Sequence, residues 1–201
     1  AILIASTFLC SLCTFVQSYW NQSVQQEIAA YGDWDAQLLE IHAGQLDLIQ
    51  NNENVQTIMV KGDNQTALLP AASGLPYLLI QNCDGAYWGG MREKNLILRG
   101  RVPQAPGEIV VGKSFFEQNP SVEIGDRLNL DLGERRKGNT TVDFLSPIQS
   151  GEEFVKTGKV QYTIVGEIDM TVSSAYNGYP AYGWLDTTAL SEDTGIVAYH
   201  Q

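Results

Sequence analysis

The stretch Gly107-Glu108-Ile109-Val110-Val111-Gly112-Lys113-Ser114 decides between two folds. As a string it matches G-x-x-x-x-G-K-S, the phosphate-binding loop of nucleotide-hydrolysing proteins. That loop works only in a set order: a buried strand, a flexible turn whose N–H groups cradle phosphate, then a long helix. Here the four central residues are Glu-Ile-Val-Val, which favour a strand over a loop. The preceding Arg101-Val102-Pro103-Gln104-Ala105-Pro106 is no buried strand, and the chain after Ser114 meets Pro120 within two turns. The segment is therefore read as a strand at Glu108–Val111, a turn, and a short helix from Lys113 to Asn119. No nucleotide and no other cofactor is expected.

Outward from this point, short β runs recur among glycines and prolines. Tyr77–Gln81 lies upstream. Downstream, a Gly125-Asp126 turn leads into Leu128, Leu130 and Leu132, which alternate with polar residues as a half-buried strand does. Gly133 to Lys159 is polar and charged and reads as a long excursion between strands. Val160, Tyr162 and Ile164 alternate again, with Gly166 as the end of that strand. Tyr182–Leu185 is a short aromatic run and Ile196–Tyr199 a final strand.

Before residue 71 the pattern differs. Asp33–Ile41 reads as a strand. His42–Asn51 reads as a short helix with Leu46 and Ile49 on one face, and Val55–Lys61 as a second strand. A Gly62-Asp63-Asn64 turn and an apolar stretch, Thr66–Leu69, come after it. Strand–helix–strand of this length is half of a small α+β layer. The expected fold class is α+β: a βαβ subdomain joined to a β-rich insertion subdomain.

Residues 1–26 carry no charge, and the first sixteen are almost wholly apolar. A bilayer-spanning helix needs about 20 predominantly apolar residues. The run is read as the outer end of a transmembrane helix whose start lies before Ala1. Tyr19 and Trp20 stand where interfacial aromatics do. A signal peptide would show a basic start and a small-residue cleavage site, and neither is present. A lipoprotein signal would need small residues before Cys10, where Phe8-Leu9 stands. A buried soluble helix is the remaining alternative.

The chain has 201 residues, 12 basic and 23 acidic, for a net charge of −11. An acidic surface argues against nucleic acid and anionic lipid as partners. Cys10 and Cys13 form C-x-x-C inside the apolar run, where a redox dithiol would lack the polar setting its thiolates need. Cys83 stands alone, so the polar part has no disulfide framework.

Catalytic patterns are thin. Two histidines, His42 and His200, and one cysteine outside the apolar run allow no thiolate-rich zinc site. Asp84 with Glu93, or Glu152 with Glu153, could serve as carboxylate pairs of the kind that hydrolyse sugars, but among 23 acidic residues such pairs arise by chance and solvated surface is the better reading. No catalytic or metal-binding residue is assigned. The aromatic segments are richer: Tyr87-Trp88-Gly89-Gly90, and Tyr176-Asn177-Gly178-Tyr179-Pro180-Ala181-Tyr182-Gly183-Trp184. Trp88, Tyr176, Tyr179 and Trp184 are the candidate ligand or partner contacts, with core packing as the competing reading. On the first reading the chain is a membrane-anchored glycan- or peptide-binding module; a surface-anchored hydrolase is a further alternative.

Several segments in order carry a family resemblance. They are Leu96-Ile97-Leu98-Arg99-Gly100-Arg101-Val102-Pro103, Pro106-Gly107-Glu108-Ile109-Val110-Val111, Ile124-Gly125-Asp126-Arg127-Leu128 and Tyr162-Thr163-Ile164-Val165-Gly166. Ala30-Tyr31-Gly32-Asp33-Trp34 after the apolar helix, and Gly151-Glu152-Glu153-Phe154 with Thr157-Gly158, agree with them. Together they resemble the extracytoplasmic (periplasmic-core-like) domain of MacB/FtsX-like ABC transporter permeases of the Gram-positive type, over most of residues 31–186.

The resemblance implies a cell-membrane permease subunit whose main domain is extracytoplasmic, partnered by a cytoplasmic ABC ATPase. A second permease copy or an adaptor protein would be a further partner. Members export or extract peptides, antibiotics or lipoproteins, or transmit signals across the membrane. No catalytic residue or cofactor carries over, and no enzyme activity is expected. The implied organisation is the end of the first transmembrane helix at 1–20, a helix extension with a porter-like βαβ subdomain at 21–70, the β-rich insertion at 71–195, and a returning porter-like strand from 196. The family pattern would continue with a further helix and strand.

Overall fold

The computed structural model describes residues 2–69, 75–143, 146–170 and 178–200. A single long helix, α1 (Ile2–Tyr31), leads into β1 (Ala36–His42), α2 (Leu46–Gln50), β2 (Ile58–Leu68) and β3 (Tyr77–Cys83). Then come α3 (Gly85–Gly90), β4 (Ile97–Gly100), β5 (Glu108–Gly112), α4 (Lys113–Gln118), β6 (Arg127–Lys137) and β7 (Thr140–Thr141). The last strands are β8 (Glu153–Ile168), β9 (Gly178–Trp184) and β10 (Gly195–His200). The expected α+β class holds, as do the helix ended by Gly32 and the strand and short helix at Glu108–Gln118.

The strands pair in the order β1-β10-β2-β3-β9-β5-β8-β6-β7, with β4 on β8. Thr66–Leu68 of β2 also pair with Asp131–Gly133 of β6. Six strands, β2-β3-β9-β5-β8-β6, therefore close into a small barrel, and closure removes their free edges. Alternate residues face opposite sides of a strand. Ile109 and Val111 point into the barrel with Leu78, Ile80, Leu130, Ile164, Tyr179 and Ala181, while Phe115 and Phe116 of α4 add to the same core. Val110 points outward and joins Met59, Tyr87, Trp88, Val165 and Tyr182 in a second core under α3.

The βαβ piece differs from expectation in its pairing. β1 and β2 each pair antiparallel with β10, which lies between them. The motif is a split βαβ, completed by a strand from the far end of the chain. Asp33–Asp35 precede β1: Asp33 N–H is drawn to Gly90 O at the end of α3, and Asp35 N–H to His200 O makes the first tie to β10. The turn expected at Gly62-Asp63-Asn64 is a bulge inside one continuous β2, since β3 pairs on both sides of it. β2 thus serves both the split motif and the barrel.

Two further corrections concern glycine and charge. Gly166 does not end β8. A Cβ there would lie 2.5 Å from Arg101 O, so the glycine marks a backbone crossing inside the strand. Both ends of the polar stretch 133–159 belong to an extended β6–β8 ladder, paired from Arg127–Thr163 to Arg136–Glu153, and the excursion is confined to the residues between them. Its charged appearance hides Arg135, whose side chain is 1% exposed. Arg135 donates to Glu152 through Nε (3.0 Å) and Nη2 (2.9 Å), and to the carbonyls of Ser146 (2.8 Å) and Pro147 (3.1 Å). Its guanidinium lies over the Tyr77 ring at 5.4 Å, and the Tyr77 hydroxyl donates to Glu152 at 3.3 Å. One buried cation thereby ties the 143–152 segment to the barrel.

A second clasp fixes the approach to β5. Arg101 binds the Glu108 carboxylate through both terminal nitrogens, and Gln104 N–H donates to Glu108 Oε2 at 2.8 Å. The Arg101 hydrogen bond holds the Glu108 carboxyl down at about 2. A depressed folded-state pKa gives stability that is complete above the unfolded value and lost as pH falls through the folded one. Glu108→Gln is therefore expected to flatten the acid limb of stability between about pH 4.5 and 2 while leaving the slope above pH 6 unchanged, as read by chemical denaturation across that range.

Candidate functional site: the helix–sheet junction

Where α1 meets the sheet, the chain turns through Gly32, whose φ is +101°. Its N–H donates to Ile28 O at 2.8 Å and closes the helix. Left-handed backbone favours glycine. A Cβ there would also meet Met91 Sδ at 3.0 Å and Met91 Cα at 3.2 Å. The next residues are pinned at two places, through Asp33 N–H to Gly90 O (2.9 Å) and Asp35 N–H to His200 O (2.8 Å). The turn thus touches the end of α3 and the end of β10 together.

From this turn a chain of aromatic rings runs across the outer core. Trp34 meets Tyr199 edge-on at 5.3 Å, Tyr199 meets Tyr87 at 5.9 Å, Tyr87 meets Trp88 at 6.2 Å, and Trp88 meets Tyr182 of β9 at 5.9 Å. Trp34 Nε1–H donates to Tyr31 O at 3.0 Å, which fixes its ring against the last turn of α1. Edge-to-face pairs are favourable and directional, so displacing one ring disturbs the next.

Local sequence explains α3, which is too short and glycine-rich to be read in advance. Asp84 caps it, accepting from Tyr87 N–H at 2.7 Å and from Val60 N–H of β2 at 3.1 Å. Burial pushes the Asp84 carboxyl up, and these backbone donors partly offset that. Gly90 lets α3 sit close on β2, since a Cβ would lie 2.4 Å from Met59 Sδ. Burial likewise raises the Tyr87 hydroxyl and the Cys83 thiol.

The four aromatic candidates are not brought together. Trp88 is 4% exposed in the outer core, and Tyr179 is 1% exposed inside the barrel, so they lie on opposite faces of the sheet. Tyr179 packs on Phe115 at 5.4 Å, and its hydroxyl accepts from Leu75 N–H at 3.1 Å. Trp184 is half-buried with its ring against Gly85. Tyr176 lies outside the described residues. Of the carboxylates, Asp84 is the α3 cap and Glu152 is held by Arg135. No group of three or more His, Cys, Asp or Glu that could hold a metal occurs among the described residues.

Tyr87 and Tyr199 gain their importance here from position. Tyr87 lies three residues beyond the Asp84 cap, a local signal open to sequence reading. Tyr199 had no such signal, because its partners lie more than 100 residues away.

The outer surface of α1 carries Leu12, Phe15, Val16, Tyr19 and Trp20, each 48–69% exposed. Among the described residues, no helix is long and apolar enough to cross a membrane.

No protein-family model matches the chain, and no curated protein matches it in sequence. Several solved structures are similar. The periplasmic region of MacB from Actinobacillus actinomycetemcomitans matches at 8% identity and TM-score 0.45, over 81% of this chain and 65% of that one. The chain thus spans about two thirds of that region's length. The extracellular domain of the noncanonic ABC-type transporter YknZ from Gram-positive bacteria matches at 10% and 0.46, over 80% and 72%. A domain of a protein described as a permease, from Porphyromonas gingivalis, matches at 11% and 0.44, over 81% and 69%.

Proposed function

We propose that this chain is the extracytoplasmic domain of an ABC transporter permease subunit, and that α1 carries movement into it. ATP would be hydrolysed by a separate cytoplasmic subunit, and the cargo would be a peptide, an antibiotic or a lipoprotein, or the output a transmembrane signal. The observation that carries the proposal is the junction. A 30-residue helix enters the sheet through one glycine, and its first aromatic residue beyond that glycine starts a line of rings reaching β9. The turn after the helix is tied at two points and Trp34 holds the last helical residue, so tilting of the helix would load α3 and β10 through residues 33–35.

The exposed apolar residues from Leu12 to Trp20 support membrane attachment, because contiguous apolar surface of this kind is covered by lipid or protein. On this reading β1, α2, β10 and the first half of β2 form the helix-facing unit, and residues 71–195 form the unit presented outward to cargo, to a second permease copy or to an adaptor.

The test uses the intact permease reconstituted with its ATPase. Spin labels at Gln22 on α1 and Ser121 beyond α4 report the helix–barrel distance. A nucleotide-dependent shift is expected, and insertion of two glycines after Gly32 is expected to abolish it while ATP hydrolysis continues. An unchanged distance in the unmodified protein, or a shift that survives the insertion, would defeat the proposal.

A further inference from the structure

Beside the junction, the last turns of α1 and the turn at 32–35 enclose a groove of about 690 Å³. Its walls are aromatic and aliphatic, with Trp20, Tyr31 and Trp34 the largest groups. Trp20 and Tyr31 are 69% and 64% exposed, whereas Trp34 is held by Tyr31 O and Tyr199. The polar rim is of one sign. Glu27, Asp33 and Asp35 line it, and among the described residues no basic side chain does.

The wider sequence deepens that imbalance. The first 60 residues hold six carboxylates and no lysine or arginine. Glu27 and Asp35 take part in none of the ion pairs among the described residues. Three exposed carboxylates elsewhere have partners: Asp131 with Lys156, Glu134 with Arg136, and Glu117 with Lys113. Among the described residues, Glu27 and Asp35 lack the cation that those three have.

We propose that this groove docks an arginine-bearing, apolar-flanked peptide segment of a partner protein. A guanidinium stacks on aromatic faces and pairs with carboxylates through parallel N–H donors, so one residue uses both features of the groove. Apolar flanking residues would cover Val24 and Ile28 on its floor. A second copy of this chain is a poor occupant, because each copy carries a net charge of −11. The fixed Trp34 ring lowers the ordering cost of binding. This docking function lies outside the transport reading and stands or falls without it.

The experiment uses the full chain in neutral detergent, with tryptophan fluorescence and calorimetry as readouts. The probe is a synthetic peptide carrying two arginines among leucines; its control replaces both arginines with citrulline, which keeps the shape and removes the charge. Saturable binding that weakens as salt rises is expected, with at least tenfold loss for the citrulline peptide. Glu27→Gln combined with Asp35→Asn is expected to lose as much, and so is Trp20→Ala; all three positions are exposed and leave the core intact. Equal binding of the citrulline peptide, undiminished binding by the double variant, or no saturable binding at millimolar peptide would overturn the proposal. So would capture of phosphatidylethanolamine vesicles with no capture of peptide, which would assign the groove to a lipid amine.

Discussion

Replacing Arg135 with methionine is expected to cost about 3–5 kcal/mol of unfolding free energy, the range for removing one partner of a buried ion pair. The loss is large because Arg135 satisfies several groups at once. Without it, the Glu152 carboxylate stays buried without its countercharge, and the Ser146 and Pro147 carbonyls lose their donor. Hydrogen bonding from Arg135 holds the Glu152 pKa below its ordinary value in the wild type; without Arg135 that support is lost and burial works against the charged carboxylate. For a domain of this size the melting temperature should fall by roughly 6–20 °C. Arg135→Met combined with Glu152→Leu should recover much of the loss, since apolar replacement of a whole buried pair is often neutral or better. A thermal melt of both variants decides it. If the single variant melts like the wild type, the clasp contributes little to stability.

Gly100→Ala is the second substitution expected to have a large effect. Gly100 has φ +78°, and a Cβ there would sit 2.3 Å from Val165 O and 2.8 Å from Gly166 Cα. The obstacles are main-chain atoms of β8, so no side chain can rotate away. Left-handed strain of about 1–2 kcal/mol adds to an overpacking cost of about 1–3 kcal/mol. Gly125→Ala is the matched control: its φ is +105°, and a Cβ there meets nothing within 4 Å. It should show the strain alone. Urea titration of the two variants separates conformational strain from contact, and equal losses would mean that the β4–β8 crossing adjusts freely.

These two sites show where sequence reading stops. The strand at Glu108–Gly112 was legible because three β-branched residues, Ile109-Val110-Val111, lie between two glycines, and the barrel-facing leucines of β6 were legible from their alternation. Gly166 reads as a strand end because the same residue that ends strands also permits a backbone crossing, and only the approach of Arg101 tells the two apart. Arg135 looks solvated because it sits in Glu-Arg-Arg-Lys, and its carboxylate partner lies 17 residues away across a ladder. At the junction, Gly32 and Trp34 could be placed from the end of the apolar helix. The ring that receives Trp34 could not, because Tyr199 stands at the other end of the chain.

The position of β10 also sets an order of assembly. The barrel strands lie between residues 58 and 184, and two of their pairings, β2–β3 and β6–β8, join segments close in the chain. β1, in contrast, has β10 as its sole partner among the described strands, with Ala36 paired to His200. Closing so long a loop carries the largest entropic cost of the pairings in the sheet, so it is expected to come last in folding. The Trp34–Tyr199 pair and the Asp35–His200 bond form at that same step. A molecule can therefore hold a finished barrel while its helix still swings free, and attachment of the helix marks the completion of folding.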